Sequence, residues 1–211
     1  MRNRLEGPEH RWKGRAMIIG VIGGVGAGKS TVLTLLTEEY HFTAYRTDDI
    51  AKSFYVHGHP VFERLKDLLG PEIEKADGSA DLPVFAAKIY GDGKQKLRAE
   101  VDGIVHPAVW TYVDARVREA RKQNIKLVLE TALPTPHFVS ECDEVWFVYT
   151  EEGVRIARLM ETRGYSEEKA RAMIHAQIDD AEYASMADLV LDNSGTREET
   201  EAQIRAQLIR V

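Results

Sequence analysis

The sequence predicts a doubly wound α/β fold, a parallel sheet with helices on both faces. Three observations carry that expectation: short apolar runs recur along the chain, amphipathic helical stretches lie between them, and no internal repeat or low-complexity tract breaks the alternation. The first run, Met17-Ile18-Ile19-Gly20-Val21-Ile22, is short, rich in β-branched residues and leads into glycines, the pattern of a strand buried on both faces. A helix is predicted from Lys29 to Tyr40, because Val32, Leu33, Leu35 and Leu36 recur at helical spacing before the polar Glu38-Glu39. Thr43-Ala44-Tyr45 reads as a second strand, Lys126 to Leu129 and Glu144 to Tyr149 as central ones, and Asp188 to Leu191 as a short late one. A last helix is predicted from about Arg197 to Ile209.

Two further parts are superimposed on that core. Residues of about 51–122 are mostly helical in pattern, punctuated at Gly58-His59-Pro60, Gly70-Pro71, Asp77-Gly78 and His106-Pro107, and read as an insertion that covers a substrate. From Glu151 to Ala187 two charged amphipathic helices meet at Arg163-Gly164-Tyr165-Ser166, where Gly164 ends one and Ser166 caps the next. The stretch of about 151–180 is read as a mobile helical lid.

Composition narrows the function classes. The chain has 211 residues and 44% hydrophobic content, enough for one substantial core, so residues 17–211 are expected to form a single domain. A net charge of -6 disfavours a nucleic-acid partner. No apolar run approaches the roughly 20 residues needed to span a bilayer, and the polar segment Met1 to Ala16 has no hydrophobic signal core. The expectation is a soluble, cytoplasmic protein, a monomer or weak homo-oligomer, with residues 1–16 a disordered extension. Cys142 is the single cysteine, which excludes an intrachain disulfide and fits a reducing compartment.

The strongest motif is Gly23-Gly24-Val25-Gly26-Ala27-Gly28-Lys29-Ser30, which fits G-x-x-x-x-G-K-[ST] between a predicted strand and a predicted helix. Glycines let the backbone wrap a triphosphate with its N–H groups turned inward, at the positive end of a helix. Gly24, Gly26, Ala27 and Gly28 would form that cradle, Lys29 would reach the β and γ phosphates, Ser30 would ligate Mg²⁺, and Thr31 would meet the α-phosphate. ATP and Mg²⁺ are therefore the expected co-substrate and metal.

Kinase chemistry needs more than the loop. Asp48 and Asp49 follow the second strand, at the carboxyl end of the sheet; either is a candidate to accept the proton of an attacking hydroxyl, and either is equally a candidate N-cap for the helix that begins near Ile50. Arg155, Arg158 and Arg163 lie on or beside the lid, and Arg158 and Arg163 are favoured for the transferring phosphate. Glu130 ends a strand, where a carboxylate holds a magnesium-bound water in nucleotide-binding loops of this kind. His57 and His59 flank a glycine without a third ligand nearby and read as a plain turn.

From Met17 onward the residues resemble the dephospho-coenzyme A kinase family. Val21 to Thr31 is similar to its phosphate loop, Asp48-Asp49-Ile50-Ala51-Lys52 to its Asp-Ala-Asp-x-Ile-Ala-Arg segment, and Gly58-His59-Pro60, Gly70-Pro71-Glu72-Ile73, Asp77-Gly78-Ser79 and His106-Pro107 to its next landmarks. Arg158-Leu159, Arg171 with Gln177, and Ala187-Asp188 with Asp192-Asn193-Ser194-Gly195 complete the likeness. The resemblance implies a P-loop kinase in three parts: a nucleotide core, a helical part holding the coenzyme A moiety, and a lid. It implies phosphorylation of the ribose 3′-hydroxyl of dephospho-CoA, with Asp48 as the catalytic aspartate, His106 and Glu130 on the substrate side, and Asn193 and Gly195 beside the adenine.

The chain departs from the family pattern at three places. Arg46 stands where the first aspartate is usual, Glu130-Thr131-Ala132-Leu133-Pro134 replaces a stretch close to Asp-x-Pro-Leu-Leu, and Thr162 occupies the place of a lid arginine, with Arg163 next. A kinase for another nucleoside or small alcohol, and a nucleotide-binding regulatory protein without turnover, are the competing expectations.

Overall fold

The structure, a computed structural model, describes residues 15–209. Its contacts divide the chain into two compact units, one made of the chain up to Tyr45 with Val117 onward, the other of Arg46–Arg116.

The first unit is built on a sheet of five strands: β1 (Met17–Ile22), β2 (Thr43–Arg46), β3 (Lys126–Thr131), β4 (Glu144–Tyr149) and β5 (Leu189–Asp192), in the order β2-β3-β1-β4-β5. β1 pairs in parallel with β3 and β4, and β4 with β5. Every residue of β1 is buried, which is why this strand carries no alternation of apolar and polar residues. Met17, Ile19 and Val21 pack with Val32, Leu33 and Leu36 of α1 (Lys29–Glu38), Trp146 and Val148 of β4, and Ile204 of α10 (Arg197–Ile209).

The opposite face of β1 is set by Gly20. A Cβ there would stand 2.7 Å from both the Cys142 sulfur and the Phe138 ring of α6 (Pro136–Glu141), so that helix approaches the sheet only because the side chain is missing. Cys142 is thus a small packing residue against a strand. Two polar ties close the unit: Asp143 accepts from the Ile18 N–H at 2.8 Å and pairs with Arg121 at 3.1 Å, and buried Glu144 accepts from the Trp146 indole at 2.8 Å and from Gln207 at 3.1 Å.

The second unit holds α2 (Thr47–Ser53), α3 (Pro60–Leu69), α4 (Leu82–Ile89) and α5 (Gln95–Gln123) through Arg116. Pro60 and Pro83 sit in the first turns of α3 and α4, where a missing N–H costs nothing, with His59 and Asp81 as side-chain caps. Tyr55 stacks between Phe62 and Phe85, and burial, reinforced by Asp102, pushes its phenol up to about 12. In the turn His57-Gly58-His59, His57 bonds Glu74 at 2.7 Å and His59 stacks on Phe54.

Three expectations are corrected. His106-Pro107 does not interrupt the chain; Pro107 lies inside the 29-residue α5. The stretch Glu151 to Ala187 contains three helices rather than two, α7 (Glu152–Arg163), α8 (Glu167–His175) and α9 (Asp180–Met186), because Asp179 caps a separate start by accepting from the Glu182 N–H at 2.7 Å. The α7–α8 junction itself is as read, with Gly164 in the left-handed region and Ser166 capping α8. The α1 helix ends at Glu38 rather than Tyr40. The extension expected over residues 1–16 lies outside the described residues apart from Arg15 and Ala16, and Ala16 is already buried.

Replacing Gly20 with alanine is expected to lower unfolding free energy by about 1–3 kcal/mol through overpacking against Phe138 and Cys142. Urea titration checks this; an unchanged or raised midpoint would show that α6 yields without cost.

Candidate functional site

The loop Gly23–Ser30 leaves the carboxyl end of β1 and enters α1. Gly28 is the N-cap of α1 and adopts φ 84°, and Gly26 adopts φ 75°, both in the left-handed region that side chains avoid. The loop's shape is fixed from outside. The Ala27 carbonyl accepts from Thr150 Oγ1 at 2.9 Å and from Asn193 Nδ2 at 2.8 Å, and the Val25 carbonyl accepts from Arg155 Nε at 3.0 Å. In a planar trans peptide the next N–H points the opposite way, so these bonds turn the Gly28 and Gly26 N–H groups toward the inside of the loop. Inward N–H groups at the start of a ten-residue helix make an anion cradle.

Lys29 supplies the charge. Its Nζ donates to the Gly23 carbonyl at 2.8 Å and the Gly24 carbonyl at 3.3 Å, and stands 3.4 Å from Glu130 Oε1. Glu130 reaches it because β3 lies beside β1 with Glu130 in register with Val21. Ser30, the second residue of α1, is exposed, and Thr31 follows it, half-buried. The Ser30 hydroxyl and the Glu130 carboxylate are oxygen donors at the mouth of the cradle, the donor type a hard divalent cation takes.

Three residues of the stretch 151–180 meet the loop. Arg155, from the first turn of α7, is buried, and a Cβ on Gly24 would run into its guanidinium. Gln177 accepts from the Val25 N–H at 2.6 Å. Arg158 donates to the Asn193 carbonyl at 2.8 Å and approaches Thr150 Oγ1 at 3.5 Å, beside Gly28. Arg163 is the last residue of α7, exposed and about two turns beyond Arg155.

Asn193, 3% exposed, is the hub of the loop after β5: it bonds Ala27, and its Oδ1 accepts from the Thr200 hydroxyl at 2.8 Å. Asp192 is held below the usual carboxylate range by its hydrogen bonds from Ser194. Thr196 and Glu199 form reciprocal bonds of 3.2 and 2.8 Å that start α10, and Gly195 precedes them because a Cβ would meet the Glu199 carboxylate. Tyr183 of α9 donates to the Ala132 carbonyl at 2.7 Å, tying α9 to the segment just after Glu130; burial pushes its phenol up to about 12.

Asp48 and His106 belong to the helical unit and are placed within it. The N-cap reading of Asp48 or Asp49 is overturned: the cap position of α2 is Arg46, and both aspartates lie in the first helical turn, where the helix dipole favours negative charge. Arg46 pairs with Asp49 at 3.9 Å, whereas Asp48 is exposed with no ion-pair partner among the described residues. His106 is exposed on α5, 3.7 Å from Asp102.

The structure therefore gathers Gly24, Gly26, Ala27, Gly28, Lys29, Ser30, Glu130, Arg158 and Asn193 around one loop. It adds Thr150, Gln177 and Arg155, the first unmarked in the sequence, the second quoted only within a motif, the third ranked below its neighbours. Thr150 carried a usable signal, a polar residue at the carboxyl end of a central strand, where ligands of open α/β sheets sit.

Comparison with known proteins agrees with this geometry. A family model described as dephospho-CoA kinase matches residues 17–199. A dephospho-CoA kinase of Carboxydothermus hydrogenoformans is 35% identical over 189 residues, covering 89% of this chain and 90% of the relative. Among solved structures, TT1252 of Thermus thermophilus superposes with a TM-score of 0.74 at 27% identity, over 93% of this chain and 98% of that one. The dephospho-CoA kinase of Campylobacter jejuni shares the fold with a TM-score of 0.64 at 20% identity, over 91% and 97% of the two chains. With the phosphate loop, its lysine and the sheet order all in place, the chain belongs to the dephospho-CoA kinase family.

Proposed function

We propose that the protein transfers the γ-phosphoryl group of ATP to the ribose 3′-hydroxyl of dephospho-CoA, giving coenzyme A and ADP. The observation that carries this reading is the cradle with Lys29 between the Gly23 and Gly24 carbonyls and Glu130, in a chain of this family. An anion cradle with an ammonium at its edge binds a triphosphate, and family membership supplies ATP as the co-substrate and dephospho-CoA as the acceptor.

Each residue then takes a role. The Gly26 and Gly28 N–H groups and the α1 N-terminus hold the phosphate chain, while Lys29 exchanges its carbonyl partners for the β and γ oxygens. Asn193 and Arg158 hold the nucleotide end of the site, with Gly195 beside the adenine. The Ser30 hydroxyl and Glu130 carboxylate are the groups that would hold Mg²⁺ and its water, and the ion would supply neutralisation of the phosphate charge.

The helical unit is the acceptor-holding part in this reading. Its surface presents Val56, Leu82, Tyr90 and Tyr112, apolar groups suited to a pantetheine arm, and His106 is the candidate for acceptor contact. Asp48 is the base: with Arg46 drawn to Asp49, its carboxylate is uncommitted and can take the 3′-hydroxyl proton as the oxygen meets the γ-phosphorus. The protein is read as a cytoplasmic monomer or weak homo-oligomer; no described helix is long and apolar enough to cross a membrane.

A coupled ADP assay with the coenzyme A product identified by mass tests this reading. Wild type is expected to form coenzyme A, and Asp48→Asn to lower kcat by about 10² or more. ADP formation equal with and without dephospho-CoA would refute the acceptor, and an unimpaired Asp48→Asn would remove the base. Asn193→Ala is expected to weaken ADP binding about tenfold, since it strips one of the two bonds orienting the Ala27 peptide and leaves the Thr200 hydroxyl only the Thr196 carbonyl at 3.2 Å; calorimetry showing unchanged affinity would assign that orientation to Thr150 alone.

A further inference from the structure

Arg155 stands apart from the other lid arginines. Its side chain is 5% exposed, and two of its three guanidinium nitrogens have fixed partners: Nε donates to the Val25 carbonyl at 3.0 Å and Nη1 meets Asp180 Oδ1 at 3.4 Å. The third, Nη2, has no hydrogen-bond partner among the described residues and lies against Gly24, in the space that a Cβ would fill. A buried donor left without an acceptor costs stability, so its persistence asks for a ligand.

The surroundings say which ligand. Gly24 is also one of the residues whose carbonyl accepts from Lys29 Nζ, at 3.3 Å, so an ammonium and an unpaired guanidinium edge converge on one residue in the first half of the loop. Lysine at this position serves the β and γ phosphates, which makes this the γ end. Arg158 serves the other half: its Nη1 lies beside Gly28 and Thr150, and its Nη2 is taken by the Asn193 carbonyl. Asp180, with a side chain 45% exposed, is a counter-ion that holds the guanidinium in plane yet remains within reach of water.

We propose that Arg155 is the lid arginine that contacts the γ-phosphoryl group, through Nη2, while Val25 and Asp180 hold its fork in place. The inference rests on the reading of the chain as an ATP-using kinase. During transfer the bond from the γ-phosphorus to the β–γ bridging oxygen breaks and its electrons leave with ADP. The acceptor oxygen forms the new bond, its proton passes to a base, and the guanidinium balances charge on the γ oxygens. Gly24 is then required by the fork that occupies its missing side chain, in addition to the loop's own backbone needs.

Calorimetry without acceptor separates this from the acceptor reading. ADP and an imido-bridged, non-hydrolysable ATP analogue are titrated with Mg²⁺ into wild type, Arg155→Gln, Arg155→Lys and Asp180→Asn. Both Arg155 variants are expected to lose about tenfold more affinity for the analogue than for ADP: the ADP loss reports the Val25 carbonyl left without its Nε partner, and the excess reports the γ group, which only the analogue carries. Asp180→Asn, which leaves the guanidinium in place, is expected to keep or raise analogue affinity. Equal losses for ADP and analogue would overturn the proposal and make Arg155 a loop brace only, and so would unchanged analogue affinity. Should Arg155→Gln fail to fold, Arg155→Lys, which keeps the charge without the fork, decides by the same ratio. A wild type that binds the analogue with this Arg155 dependence but makes no coenzyme A would refute the acceptor and leave the arginine's role standing.

Discussion

The structure depends on the direction in which two backbone carbonyls point. Thr150 and Asn193 hold the Ala27 carbonyl from outside the loop, and Arg155 holds that of Val25. Because the peptide is planar, each outward carbonyl turns the following N–H inward, and a run of glycines becomes a concave set of donors. Glycine alone permits the shape at Gly26 and Gly28; it does not select it. Selection comes from three side chains delivered by the ends of β4 and β5 and by α7, and the sheet order brings them together: β4 lies beside β1 and β5 beside β4 on the same side.

The same arrangement explains the economy of charge in a protein of net charge -6. Cations are concentrated where a polyphosphate would lie, with Lys29 balanced by Glu130 and Arg155 by Asp180. Partnered charges remain tolerable in a partly desolvated loop and are released to a stronger anion on binding. A small apolar cluster of α7 and α8, Ile156, Leu159, Ala170 and Ile174 with Val25 of the loop packed against it, keeps these helices next to the cradle. The placement of α7 and α8 and the loop's shape are therefore coupled through one residue, Val25, held by its side chain, its N–H and its carbonyl at once.

Much of this was legible in the sequence, for reasons that differ by element. β1 and β4 are read to the residue because both are buried on two faces, and Gly164 with Ser166 announce the α7–α8 junction through turn chemistry. The loop is legible because its chemistry tolerates few residue types. Pro107 inside α5 was not, since a proline removes a helix hydrogen bond and crowds the carbonyl four residues back, a local penalty that the rest of a 29-residue helix overrides. The α9 start was missed because one aspartate, Asp179, decides it. Among the site residues, Arg155 was undervalued because burial, rather than residue type, distinguishes it from Arg158 and Arg163, and burial is a tertiary property.

The most direct test of the central claim follows the phosphorus atom. ATP labelled in the γ-phosphoryl group is incubated with the protein, Mg²⁺ and dephospho-CoA, and the products are separated and mapped. The account predicts that the label appears on the ribose 3′-oxygen of coenzyme A in an amount equal to the ADP formed. Label recovered as inorganic phosphate, or left in ATP while dephospho-CoA is unchanged, would contradict it.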